Sequence, residues 1–143
     1  QRQEKRLIIV VLGARSREVR NQENEALLNW AFSNLRTLIS TEEVITPVLV
    51  PDGVDHQVNA VLAREFQLVA KDEADLEYEA EPEIMPNLRA PVDRGDKVGE
   101  LVIKRGGEDF VRLDLVAQQS TGLATWVRRL FNGLKRMFKG TGG

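Results

Sequence analysis

From Val44 onward, turn residues divide the chain into six short runs, 45–50, 57–62, 66–70, 76–80, 98–104 and 110–116, in which apolar and polar side chains tend to alternate. A period of two over a few residues marks strands that bury one face, because successive side chains of an extended chain point to opposite sides. The breaks fall at Pro51-Asp52-Gly53, Pro82, Pro86, Arg94-Gly95-Asp96 and Gly106-Gly107, all with turn chemistry. Strands this short at this spacing predict a small antiparallel β-sandwich. The fold class is therefore mainly β with flanking helices, and the change of texture puts a domain boundary near residue 40.

Before that boundary the pattern differs. Arg6-Leu-Ile-Ile-Val-Val-Leu-Gly13 is a continuous, β-branched apolar run, which predicts a strand buried on both faces and in need of a neighbour on each side. Ser16 is placed to cap a helix with Glu18 in its first turn, and the spacing predicts that helix over about 17–36. Val19, Ala26, Leu27, Trp30 and Ala31, with Leu28 and Leu35 at the edge, would form a stripe laid on the sheet that holds the first strand.

Residues 72–83 contain seven acids and no base, but Leu76, Tyr78 and Ala80 alternate with Glu77, Glu79 and Glu81. This reads as a strand with one wet, acidic face rather than a calcium loop, which would need a turn glycine and more varied ligands. With no cysteine and one histidine, thiolate chemistry, disulfides and zinc-thiolate sites are excluded. The longest apolar run, 7–12, is far short of the ~20 residues of a spanning helix, and residues 1–6 lack the apolar core of a secretion signal.

The net charge of −2 hides a partition: every acid lies at or before Asp114, with 15 bases against 22 acids there, and only Arg128, Arg129, Lys135, Arg136 and Lys139 follow. On a helical wheel, Leu123, Trp126, Val127, Leu130, Phe131, Leu134, Met137 and Phe138 fall within an arc of about 140°, opposite those five cations. A helix docked on the sandwich would explain the stripe but not a polar face of one sign. The expectation is an amphipathic helix lying on an anionic membrane surface, its membrane-binding residues being those eight apolar and five basic side chains. Each cation contributes roughly 1 kcal/mol near an anionic leaflet. At ~1.5 Å per residue, 123–139 reaches only about 26 Å, and with its charges it lies flat. Nucleic acid is not expected as a partner, since the aromatic rings face away from the cations.

No catalytic residue, metal site or cofactor emerges. His56 beside Asp55 stands in a turn; Ser16, Ser33, Ser40 and Ser120 begin no Ser-x-x-Lys; no phosphate-cradling loop occurs. Lys139-Gly140-Thr141-Gly142 has an extra glycine that breaks the register of a Lys-Thr-Gly strand. Lys71, Lys97 and Lys104 lack the hairpin-tip setting of a biotinyl or lipoyl carrier lysine.

Four segments occur in a telling order: the strand ending Leu-Gly-Ala14, a helix with Glu25-Ala-Leu-Leu-Asn-Trp-Ala-Phe32, the string Leu88-Arg-Ala-Pro-Val-Asp-Arg-Gly-Asp-Lys-Val-Gly-Glu-Leu101, and the amphipathic end. Together they resemble the C-terminal part of a serine-type D-Ala-D-Ala carboxypeptidase of the low-molecular-mass penicillin-binding protein class. The resemblance implies that residues 1–39 are the last strand and helix of the penicillin-recognising α/β peptidase domain, incomplete here, that 40–118 are a β-rich second domain and that 119–143 are the membrane anchor. It implies a place on the periplasmic face of the cytoplasmic membrane, near peptidoglycan and possible protein partners of the cell wall, with the pentapeptide bound through a peptidase domain not in this sequence. The family's Ser-x-x-Lys, Ser-x-Asn and Lys-Thr-Gly motifs lie upstream of the first strand, so the chain alone is expected to be inactive. The other reading of the same residues is a non-enzymatic β module that acts at a membrane surface or binds other proteins.

Overall fold

The computed structural model describes residues 7–125. They contain one α-helix, α1 (Arg17–Ser33), and seven strands: β1 (Leu35–Ile39), β2 (Val44–Leu49), β3 (Gln57–Leu62), β4 (Phe66–Val69), β5 (Glu79–Ile84), β6 (Lys97–Arg105) and β7 (Glu108–Ala117). The fold is mainly β, as the strand spacing predicts. Two compact units divide the chain, one of residues up to 38 with 67–77, the other of 39–66 with residues from 78 onward.

In the first unit Ser16 caps α1, its Oγ accepting from the Val19 N–H at 3.2 Å. The helix stops earlier than the apolar spacing predicts. Asn34 turns both its backbone N–H (3.0 Å) and its side-chain amide (2.8 Å) on the Trp30 carbonyl, and Leu35, expected on the helix, opens β1 instead. β1 pairs with β4. The Ala70 N–H donates to Asn34 O at 3.1 Å and Gln67 Nε2 to Thr37 Oγ1 at 3.0 Å, so numbers rise on one strand as they fall on the other and the pair is antiparallel.

The apolar run 6–13 does not form the expected buried strand among the described residues. Leu7, Ile9 and Val11 are half-buried while Ile8, Val10 and Leu12 are 77%, 74% and 87% exposed. The alternation is that of a strand, but a strand apolar on both faces needs two neighbours, and no described strand supplies one. The stripe on α1 is likewise uncovered at Val19, Leu27 and Trp30, with only Ala31 buried.

The second unit is a five-stranded sheet in the order β2-β3-β7-β6-β5, with every neighbouring pair antiparallel. Directly opposed residues share a face, and one face holds Val48 against Val58, Ala60 against Ala117, Leu62 against Leu115 and Leu101 against Leu113, all buried. Val50, Val92, Thr121 and Ala124 add to the buried set from loops. The β6–β7 hairpin turns at Gly106 and Gly107, both at positive φ (60° and 82°), as a two-residue primed turn demands.

The strand expected over 76–80 is displaced. Glu73–Leu76 is a 3-10 turn closed by Asp72, whose carboxylate accepts from the Asp75 N–H at 3.3 Å, and the strand follows at Glu79–Ile84. Pro82 lies inside it because β5 is an edge, and Pro47 lies on β2, the other edge. The Val50 N–H bonds His56 O and the Met85 N–H bonds Val98 O. Counting back by alternation, the nitrogens of Pro47 and Pro82 both point away from the sheet, where a missing N–H costs no ladder bond.

Candidate functional site

Twelve of the expected membrane-binding residues, Trp126, Val127, Arg128, Arg129, Leu130, Phe131, Leu134, Lys135, Arg136, Met137, Phe138 and Lys139, lie outside the described residues. Leu123 is described. It is half-buried and forms an antiparallel bridge with Gly53, so it belongs to the β unit and not to a helix.

That bridge is part of a junction of three loops. The turn predicted at Pro51-Asp52-Gly53 is its hub. Asp52 O accepts from the Ala124 N–H at 2.9 Å, and the Val54 N–H donates to Gly122 O at 2.8 Å. The Asp52 carboxylate accepts from the Ala90 N–H at 3.0 Å and meets Arg89 at 3.8 Å. Thr121, the one buried polar residue described, joins both sides. Its backbone exchanges two bonds with Val92 (2.8 and 3.0 Å), while its hydroxyl accepts from the Asp55 N–H (3.0 Å) and donates to Asp55 O (3.1 Å). A β-carbon on Gly53 would stand 2.9 Å from that hydroxyl, so the close approach requires glycine. Upstream, the Gln118 N–H bonds Asn59 O, and Ser120 Oγ accepts from the Arg94 N–H, both at 2.8 Å. Residues 118–124, the root of the basic terminal segment, are thus tied on both sides.

The string 88–101 supplies the other half of the junction. Ala90–Pro91 is a cis peptide, Val92 is buried, and the turn 93–96 closes through the Asp96 N–H on Asp93 O and the Asp93 N–H on Asp96 Oδ2, with Gly95 at φ 93°. Gly99 lets β5 lie close: a β-carbon there would be 2.5 Å from Glu83 O. The sequence marks this string, but the convergence of its Ala90 and Val92 with Asp52 and Thr121 carries no local signal.

On the sheet face opposite the core lies a ladder of charge. Arg112 pairs with Glu83 (2.7 Å), Asp109 (2.9 Å) and Glu100 (3.5 Å), Lys97 with Asp114 (2.6 Å) and Glu100 (2.7 Å), and Lys104 with Glu81. Asp114 and then Glu100 raise the Lys97 ammonium above its ordinary range, Glu81 does the same for Lys104, and Lys97 holds Glu100 below the usual carboxylate range. Of the acidic face predicted at Glu77, Glu79 and Glu81, Glu81 joins this ladder through Lys104, and Glu83 beyond it joins through Arg112. Among the described residues no cluster of His, Asp or Glu is arranged for a metal, and no helix is long and apolar enough to cross a membrane. His56 is exposed, its carbonyl accepting from Val50. Ser16, Ser40 and Ser120 each accept from a backbone N–H nearby, the work of caps and turns rather than of an activated nucleophile.

Residues 34–122 match the family model described as "Penicillin-binding protein 5, C-terminal domain". The chain belongs to that family. The matched stretch of this penicillin-binding protein 5 C-terminal domain begins where α1 ends and closes inside the three-loop junction, taking in both sheets. Two curated relatives carry the name D-alanyl-D-alanine carboxypeptidase. DacF of Bacillus subtilis is 26% identical over 130 residues, 87% of this chain and 33% of its own length. DacA of Haemophilus influenzae is 30% identical over 139 residues, 94% of this chain and 35% of its own length. The chain thus spans about a third of the curated relatives it matches. Among solved structures, penicillin binding protein 5 from Haemophilus influenzae shares the fold over 78% of this chain and 33% of its own, with a TM-score of 0.60 at 24% identity.

Proposed function

We propose that this chain is the pedestal and membrane-anchoring part of a D-alanyl-D-alanine carboxypeptidase that trims the terminal D-Ala of peptidoglycan stem peptides on the periplasmic face of the cytoplasmic membrane. In this reading residues 1–39 belong to the peptidase body, 40–118 stand beneath it, and 119–143 bind the anionic leaflet. The family membership and the relatives' printed activity support the first step. The observation that carries the second is the clamp on 118–124: a segment meant to fix a body on a surface needs a root that does not swing, and this root is bonded to Asp52, Val54, Asp55, Asn59, Val92 and Arg94.

The test has two arms. Sedimentation with anionic vesicles should show salt-sensitive binding, weakened about 100-fold or more when Trp126→Glu and Phe131→Glu remove two aromatic anchors. No binding by the intact chain rejects the anchor. A fluorescent penicillin should label a longer protein that carries Ser-x-x-Lys upstream and leave this chain unlabelled; labelling of this chain rejects the assignment of the chemistry to a missing domain.

A further inference from the structure

The curled sheet of the second unit brings its two edge strands near each other, and a cleft of about 480 Å³ lies beside them, lined by Pro47, Leu49, Pro51, Ile84, Met85 and Arg89 among others. Its size is that of a site for a few large side chains. Leu49 is 71% and Met85 46% exposed there, an uncovered apolar pair at the mouth. Each free edge lacks an outward N–H, at Pro47 and at Pro82, so a strand added there would miss a ladder bond, and side chains make the better cover.

Resting on the anchor reading above, we propose that the cleft seats the chain's own terminal apolar residues, Trp126 and Phe131 foremost, whenever no membrane is present. Three observations select this occupant. The terminal segment is rooted at the wall of the cleft: Ala124 is bonded to Asp52, which adjoins the lining residue Pro51 and pairs with the lining residue Arg89. Trp126 is two residues beyond that bond, within about 7 Å of chain reach, and eighteen residues follow Thr125. The tether makes the encounter intramolecular, with an effective concentration of millimolar order. The residues before the tail carry a net charge of −7 against its +5 while the cleft's own lining holds one charge, Arg89, so long-range attraction draws the tail toward the body and apolar contact selects the cleft. Seating and membrane insertion then use the same aromatic side chains and exclude each other.

The experiment uses the full chain with Trp30→Phe, so that Trp126 is the single reporter. In buffer its emission is expected to be blue-shifted and shielded from iodide. Leu49→Asp with Met85→Asp, both at exposed positions, should shift it red and raise the quenching constant severalfold, while anionic phosphatidylglycerol vesicles bind this variant several times more tightly because the competitor is gone. The chain has no cysteine, so Leu49→Cys with Phe131→Cys provides a second measurement: an intramolecular disulfide should form in buffer and be suppressed by vesicles, and a control pair with Phe110→Cys should form little. Emission and vesicle affinity unchanged by the aspartates, or equal cross-linking in both pairs, overturns the seating. So does a cross-link between chains that grows with concentration, which would make a second copy the occupant. Vesicle binding without cleft dependence sinks the seating and spares the anchor; cleft-dependent emission and cross-linking without vesicle binding sinks the anchor and supports the seating.

Discussion

At Gly99 a β-carbon would stand 2.5 Å from the carbonyl oxygen of Glu83 and 3.0 Å from the Ile84 Cα, both backbone atoms that cannot swing aside. Gly99→Ala must push β5 off β6, and the expected cost is about 1–3 kcal/mol, a fall in Tm of roughly 4–8 °C per kcal/mol for a domain of this size. Gly122 is the control. It has open space around its Cα and a φ outside the left-handed region, so Gly122→Ala should leave the midpoint within a degree or two. Thr121 offers a second residue-scale test. Thr121→Val keeps the shape and removes the hydroxyl that serves both backbone groups of Asp55; the loss should be about 1–3 kcal/mol, read by thermal or urea unfolding. The Gly95 turn is legible in the sequence, because turn glycines announce themselves beside Asp and Arg. The demand at Gly99 is not, since it comes from a strand fifteen residues earlier in the chain.

Among the elements, the strands β2, β3, β4, β6 and β7 follow from alternation and turn residues alone, because each is short and flanked by breakers. β1 was hidden: Leu35 continues the helical spacing, and the helix ends at Asn34, whose side-chain amide caps the Trp30 carbonyl that its own backbone N–H already bonds. β5 was displaced by the Asp72 cap, a side-chain bond that competes with the ladder. The prolines on the two edges predict a concentration effect. Replacing Pro47 and Pro82 by Thr restores an outward N–H on each edge and should make the chain associate more strongly than the parent, seen as a steeper rise of sedimentation coefficient with concentration; no change would deny the prolines that role. The charge ladder predicts a pH response. Glu100 has its folded pKa lowered, so its contribution is present above the ordinary value of 4.5 and is lost as the pH falls through the depressed one. Lys97 and Lys104 have theirs raised, so their contributions are complete below 10.5 and are lost only as the pH climbs past that value. The denaturation midpoint should therefore be insensitive to these groups between those limits and fall on the acid side below about 4.5, less steeply in Arg112→Met, and added salt should flatten the profile.

For the whole molecule, the sequence indicates the class of fold and the family, because those reside in pattern and motif. It does not indicate which apolar faces stay open. Ile8, Val10 and Leu12 were expected inside a sheet, and Val19 and Trp30 upon one, yet all are exposed among the described residues. Their burial is a matter of partners, and a chain that spans a third of its relatives need not contain them. The three-loop junction has a mechanical meaning as well. Residues 121–124 run extended between two loops, joined by an isolated bridge on each flank, to Val92 on one side and to the Asp52–Val54 turn on the other. Tension applied along this segment would load the bonds of both flanks in shear, all at once, instead of peeling them one by one. A pull on the residues beyond 124 would then be passed into the sheet as a whole, so that this junction should outlast forces that unzip an ordinary hairpin.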